Sequence, residues 1–491
     1  MLNEAMKAII YALYSSDKKR CAPDLGGGPL PKLVAKLALP AIAAQLINLL
    51  YNLVDRIYVG ALPGEEGTDA LAALGVVFPV TLIVTAFGYL VGLGGAPVAN
   101  MRMGEGKREE ANKVFCNAFV MLSAFGALLT VFVLTAGDAL LVAFGAPGDC
   151  FSYASEYLFA YGFGSIFVIF VVGLNPFITA QGRSVTAMLT VLFGAALNIA
   201  LDPLFIYAFG LGVRGAAIAT VISQAASAVW ALAFFFRKSS TFRLRAADMR
   251  PRAKIMLSVL ALGLSPFIMT ATESAVQIVF NVNLKLATGG SSDHTAALTV
   301  MMSALQMVSM PLNGLGTGVQ PLVSYNYGAG NADRVKRTVK IITVAALIYS
   351  SSVWLLSLLA PQIYAVMFGA SAEVTELVIE YTPFFMMGTI MFFAQMTLQN
   401  TFVALGQAKI SVFLACLRKV ILLIPLCFML SHFLGTFGVF LSEGVADVTA
   451  GIVTALSFFI AFPRIVRKRV AFLSESGGGK DAEGTERGEE K

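Results

Sequence analysis

Leu37 to Gly60 reads LALPAIAAQLINLLYNLVDRIYVG, and the reading of this stretch decides the fold. It is long and apolar enough to cross a bilayer, which takes ~20 residues at ~1.5 Å each. Yet Asp55 lies within its last third. A carboxylate on a spanning helix costs ~2.5–3.5 kcal/mol on insertion scales, so it faces a cavity, a partner or an ion path. The neighbouring Arg56 is a poor partner, because adjacent residues point about 100° apart on a helix.

The rest of the chain suits the same solvent. Of its 491 residues 57% are hydrophobic and only 13% charged, whereas a soluble chain carries about a quarter charged. This is a polytopic, all-α membrane chain. The formal net charge of +6 reflects loop topology, described below, and not a nucleic-acid partner. Five cysteines (Cys21, Cys116, Cys150, Cys416, Cys427) show neither CxxC nor zinc spacing, and only Cys150 falls in a predicted external loop. His294 and His432, the two histidines, leave no imidazole-rich metal site and no His-based triad, so no enzyme and no cofactor is expected. The first residues do not form a signal peptide: the apolar run Ala8 to Leu13 is short, and Lys18-Lys19-Arg20 follows it. Gly26-Gly27-Gly28 reads as a flexible lead-in, and the tail from Ser474 reads as disordered.

Apolar segments separated by polar or Gly/Pro punctuation predict twelve spans. The first six lie near 33–60, 69–97, 114–136, 154–180, 185–209 and 214–236. The second six lie near 255–285, 296–323, 338–360, 377–405, 410–434 and 436–462. Lys and Arg gather in the N-terminal lead, in the loops 98–113, 237–254 and 326–340, and in the tail; Arg214 and Lys285 alone fall on the other side. The positive-inside rule then puts both termini in the cytoplasm.

The basic 237–254 connector divides the chain into an N-lobe, 33–236, and a C-lobe, 255–462, flanked by the lead 1–32 and the tail 463–491. The halves repeat each other. Gly92, Gly94, Pro97, Gly104 and Gly106 recur as Gly316, Gly318, Pro321, Gly328 and Gly330 at an offset of 224, as do Tyr157 and Gly182 in Tyr381 and Gly406. Pro40 followed by Asp55 recurs as Pro266 followed by Asn281, fifteen residues apart in both cases. Six spans per half give both halves one orientation, related by an axis along the membrane normal.

Topology alone sets depth. Asp55, Asp202 and Thr220 all fall in the outer half of their spans, and Asn198 lies one turn below Asp202 on the same face. Pro203 removes a backbone donor and kinks span 5 there. Two carboxylates, a carboxamide and a hydroxyl suit Na⁺ or proton exchange; the plainer alternative is hydrogen bonding around the kink. In the second half, Glu273, Glu443 and Asp447 are the membrane acids. Glu273 either meets a cationic substrate or ion, or pairs with Arg418 or Lys419. Gln277 and Asn281 share its helix, and Gln277, Gln306, Gln320, Gln395 and Gln399 suit hydrogen bonds between helices or the lining of a cavity. The second half is also rich in Met and Phe, as an adaptable apolar cavity or as lipid-facing surface.

The motifs LALPAIAAQLINLLYNLVDRIYVG, GLGGAPVANMRMGEGK, NPFITAQG (175–182), LNIALDPLFI (197–206) and SPFIMTATESAVQIVFN (265–281) resemble those of the MATE multidrug and toxin extrusion transporters. They fit best the bacterial DinF/MepA-like branch, and the resemblance covers about residues 30–465. It implies a V-shaped pair of pseudo-symmetric six-helix lobes working by alternating access in the cytoplasmic membrane, with cation influx driving export of drugs or metabolites. On it Asp55, Asn198, Asp202 and Thr220 match the N-lobe cation site, with Asn175 a further member. From the residues themselves Glu273, with Gln277 and Asn281, is expected as a substrate or cation contact, and span 1 is expected to bend at Pro40 on cation binding. The expected partners are small organic compounds and membrane lipid, and the repeat on one chain suits a functional monomer. The competing reading is a lipid-linked oligosaccharide flippase of the same superfamily. It needs a basic central cavity, whereas the buried charges here are mainly acidic.

Overall fold

The computed structural model describes residues 24–63, 65–144, 148–237, 239–289 and 291–485. Cys21, most of the predicted lead and the last six residues of the tail lie outside them. The described residues form long apolar helices and no strand. In the first half these are α1 (Leu30–Gly60), α2 (Glu65–Gly104), α3 (Arg108–Ala143), α4 (Gly148–Ala180), α5 (Ser184–Ala208) and α6 (Gly212–Phe236). The second half holds α7 (Ala253–Thr288), α8 (Ser292–Gly328), α9 (Ala332–Leu359), α10 (Ala372–Ala404), α11 (408–434) and α12 (436–485). The last two are one helical run broken at Gly435, whose φ of 60° and ψ of −136° suit glycine.

Hydropathy locates the spans but not the helix ends. α2 runs to Gly104 and α3 starts at Arg108, where composition ends one span near 97 and opens the next near 114. The apolar window marks the thickness of hydrocarbon, and the helices continue beyond it. Likewise α12 continues past Ser474 to Thr485, where a disordered tail is expected; propagating an existing helix is cheap, although each glycine there costs ~1 kcal/mol relative to alanine. Cys150 is buried in the first turn of α4 instead of lying in a loop.

The repeated glycines explain how the halves meet. A β-carbon on Gly94 would strike the Val259 carbonyl and Gly263 of α7, and one on Gly318 would lie 2.8 Å from the Leu37 carbonyl of α1. Gly104 packs its backbone on Tyr325 of α8, and Gly328 packs on Met101 of α2, each leaving no room for a side chain. Gly106 and Gly330 then turn the chain with φ of 77° and 75°. α2 and α8 thus cross at the end of the molecule that carries most Lys and Arg, here the basic face.

One consequence is an exchange of helix halves. Leu30, Leu33, Val34, Leu37 and Ala38 of α1 sit in the core of the second half, while Val259 and Leu262 of α7 sit in the core of the first. Polar contacts between the halves also gather at the basic face. Arg469 of α12 donates to Glu105 Oε1 at 2.6 Å and to the α8 carbonyls of Gly328 at 3.0 Å and Tyr327 at 3.2 Å. The glycine lead-in is tied down, contrary to its expected flexibility. Arg334 donates to the bare carbonyls of Gly27 and Gly28 at 2.9 and 3.1 Å, and Asn326 donates to that of Leu25 at 2.8 Å.

Burial alone would push the Glu105 carboxyl up, but Arg469, Arg102 and Lys107 outweigh it and hold it below its ordinary range. A carboxyl held low in the folded protein adds stability above its ordinary range, and that contribution goes as pH falls through the lowered value. Acidification below about pH 4, near the ordinary Glu range, and Glu105→Gln at neutral pH should therefore both loosen this seam. Faster amide hydrogen exchange around 325–331, severalfold in each case, is the expected result. Over-packing the crossing costs ~1–3 kcal/mol, so Gly104→Val should cut cross-linking between Met101→Cys and Tyr325→Cys by about tenfold.

Candidate functional site

Asp55, Asn198, Asp202 and Thr220 come from three helices, and α1, α5 and α6 bring them together. Asn198 Nδ2 donates to Asp202 Oδ1 at 3.0 Å and reaches Thr220 Oγ1 at 3.4 Å. Asp55 lies close enough to Asp202 for their charges to repel. All four are buried, Asp202 completely. Asp55 Oδ1, Asn198 Oδ1 and Asp202 Oδ2 are buried oxygens with no hydrogen-bond partner. Arg56 forms no ion pair with Asp55 among the described residues: its guanidinium stacks on the Phe78 ring, 5.3 Å from the centroid, although its charge still acts on Asp55.

Local sequence shapes the site. Asn198 and Asp202 are four apart on α5 and share a face. Pro203 cannot donate to the carbonyl one turn back, and α-helical geometry gives way at once to a π-helical turn over Leu204–Ala208. Such turns recur at functional sites.

Among the described residues no hydrogen bond joins Asn175 to this cluster. Gly164 of α4 packs against Val221 of α6, so Thr220 is level with that part of α4. Asn175 lies eleven residues further on, roughly 16 Å towards the basic face. Its Oδ1 is likewise unpartnered.

A tyrosine wall escaped the sequence reading. The Tyr157 hydroxyl faces Thr220, the Tyr51 hydroxyl faces Gln224, and Tyr161 lies beside Tyr51. Each was within reach of a simple pattern. Tyr51 precedes Asp55 by four, Gln224 follows Thr220 by four, and Tyr161 follows Tyr157 by four.

The second half treats its acids differently. Lys419 Nζ donates to Glu273 Oε2. Arg418 donates to Asp447 Oδ1 at 2.6 Å, lies 3.6 Å from Glu443 Oε1 and stacks over Phe392. Gln395 donates to the Asp447 carbonyl and binds the network to α10. Arg418 and Lys419 sit in a π-helical stretch, Leu417–Leu423, and Gln395 in another, Phe393–Leu398. Of the two alternatives for Glu273, this geometry supplies the ion pair, with the carboxylate side chain still 40% exposed. Gln277 is half-buried on the same helix face, whereas Asn281, the counterpart of Asp55, is exposed. Asn283 is the buried one and accepts from Ser431 at 2.7 Å. Several of the Met and Phe side chains, including Met301, Phe385, Met386 and Phe392, are buried in the core of the second half.

The family model MatE matches residues 40–204 and 266–429, one segment in each half. The chain belongs to the MatE family. It is 26% identical over 438 residues to the multidrug export protein MepA of Staphylococcus haemolyticus strain JCSC1435, covering 88% of this chain and 93% of that protein. The structure of the MATE multidrug transporter DinF-BH in complex with a dye superposes with a TM-score of 0.83 at 32% identity, over 91% of this chain and 99% of that one. An outward-facing multidrug resistance MATE transporter of the MOP superfamily gives 0.82 at 25% identity, over 90% and 98%. The MATE architecture of two pseudo-symmetric lobes and many membrane spans is therefore that of this chain.

Removing one member of a buried ion pair leaves the other charge uncompensated, at ~3–5 kcal/mol. Arg418→Met should accordingly lower thermal stability in detergent by about that amount. Arg418→Met combined with Glu443→Gln and Asp447→Asn should recover most of the loss.

Proposed function

We propose that this chain is a cation-coupled antiporter: Na⁺ or H⁺ enters down its gradient, and an amphipathic, often cationic organic compound leaves across the bacterial cytoplasmic membrane. The observation that carries this reading is the pair of buried carboxylates, Asp55 and Asp202, with unpartnered oxygens and no ion pair among the described residues. A low-dielectric site cannot hold two bare charges, so the pair takes up a proton or a small cation. Asn198 and Thr220 add neutral oxygens to the same cluster. The export of organic compounds is argued from MepA and from DinF-BH with its bound dye.

With the basic face in the cytoplasm, the glycine crossing and the Glu105–Arg469 contact close the inner side. This arrangement is the outward-facing state of an alternating-access cycle. Glu273 is partly exposed but paired with Lys419, so a cationic substrate would meet it, with Gln277 beside it, by displacing Lys419. The flippase reading needs buried cations for a pyrophosphate, and both Arg418 and Lys419 are already engaged by carboxylates.

The test is efflux of a fluorescent cationic dye from an efflux-deficient bacterium, with Na⁺ and pH gradients imposed separately and expression matched. Wild type should follow one gradient, and Asp55→Asn and Asp202→Asn should each lower efflux at least tenfold. Wild-type efflux that follows neither gradient would refute coupled export, and undiminished efflux in both variants would move coupling away from α1 and α5.

A further inference from the structure

The connector between α6 and α7 exposes Arg237, Arg245, Arg250, Arg252 and Lys254. Its acid, Asp248, is engaged by Asn112 Nδ2 at 2.8 Å. Topology requires positive charge at this face but no particular shape, and this connector has a fixed one. Asn112 Oδ1 accepts from the Arg243 amide at 2.7 Å, and Asn117 Oδ1 accepts from the Arg252 amide at 2.8 Å. Gln181 Oε1 accepts from the Thr241 amide at 2.6 Å and from Ser240 Oγ at 3.1 Å. All three carboxamides are buried. Phe242 is buried as well and stacks on Phe115, with ring centroids 5.6 Å apart.

Depth is fixed by the flanking helices. Phe236 at the end of α6 and Leu257 in the first turns of α7 are exposed large apolar residues on membrane spans. They face hydrocarbon, so Arg237 and Lys254 lie at its edge, at headgroup level. Clusters of four to eight basic residues immediately beside a span attract anionic lipid, and the attraction dies away within a Debye length. Here five guanidinium and ammonium groups are presented by a backbone that three buried carboxamides hold in place.

We propose that the 237–254 connector is a binding platform for anionic phospholipid headgroups of the inner leaflet. Only the word "inner" rests on the orientation given under the proposed function; the binding itself does not depend on transport. The test uses the full-length protein in detergent, titrated with phosphatidylglycerol or phosphatidylcholine, with retained lipid read by native mass spectrometry and thermal melting read in parallel. Wild type should retain phosphatidylglycerol at least fivefold over phosphatidylcholine, and should melt higher with it. The preference should vanish in Arg245→Gln/Arg250→Gln/Arg252→Gln and persist in Lys336→Gln/Arg337→Gln/Lys340→Gln, which removes the same charge from the other half. Asn112→Leu, which keeps every basic side chain but releases the connector, should also weaken it. Absence of a preference in wild type, or equal loss in both triple variants, would overturn the platform. Because the assay reads lipid and not efflux, its failure and failure of the antiporter reading are separate results.

Discussion

Backbone must meet backbone where α2 crosses α8, and the arrangement of the two lobes follows from that requirement. Helices in hydrocarbon gain no hydrophobic free energy by associating, so close van der Waals packing carries the contact and small residues permit it. Gly104 and Gly328 allow the crossing itself, while Gly94 and Gly318 let α2 and α8 lie against α7 and α1. With these four positions bare, the halves of α1 and α7 nearer the basic face reach across into the opposite core. The lobes are therefore joined through one end of the molecule. The half of α1 farther from the basic face is left to pack on α5, within its own lobe.

The same solvent sets the rule for charge. Bilayer hydrocarbon offers no counter-ion, so a buried carboxylate is answered by the protein, by a proton or by an ion. The two lobes answer differently. In the C-lobe three acids meet Arg418 and Lys419, and Glu443 Oε2 and Asp447 Oδ2 remain without hydrogen-bond partners. In the N-lobe Asp202 accepts from the Asn198 amide, and neither it nor Asp55 forms an ion pair among the described residues. The first arrangement supplies two cations for three acids. The second supplies no ion pair, and the proposed coupling is assigned there for that reason.

Much of this was legible in the sequence because the signals are local or periodic. Twelve apolar segments, the break at Gly435 and the glycine offset of 224 all fall out of spacing. Asp55, Asn198, Asp202 and Thr220 were found by counting residues from span ends, which works because helical rise is constant. The same count places Asn175 too far towards the basic face, and the resemblance that added it carried no depth. What stayed illegible depends on side-chain direction across helices. The tyrosine wall and the choice of Lys419 by Glu273 need the rotation of α4 and α11, which a π-helical turn changes without a clear sequence mark. The tied lead-in at Gly27 and Gly28 depends on Arg334, some three hundred residues away.

The symmetric glycines and the asymmetric charges act on the same helix. Pro40 falls where α1 leaves the C-lobe core, just after Ala38, and Pro266 falls where α7 leaves the N-lobe core, after Leu262. Each proline thus removes a backbone hydrogen bond at the point where its helix passes from one lobe to the other. Asp55 lies on α1 beyond that point, buried in the N-lobe site, while Leu37 is fixed on the opposite lobe by Gly318. On the proposed coupling, a change of charge at Asp55 would alter how that part of α1 sits against α5 and α6, while the part before Pro40 is anchored to the other lobe. Pro40 would be the point between them. α7 has the same proline but carries an exposed Asn281 where α1 has Asp55, so the repeat supplies two hinges and only one of them is tied to a bare acid.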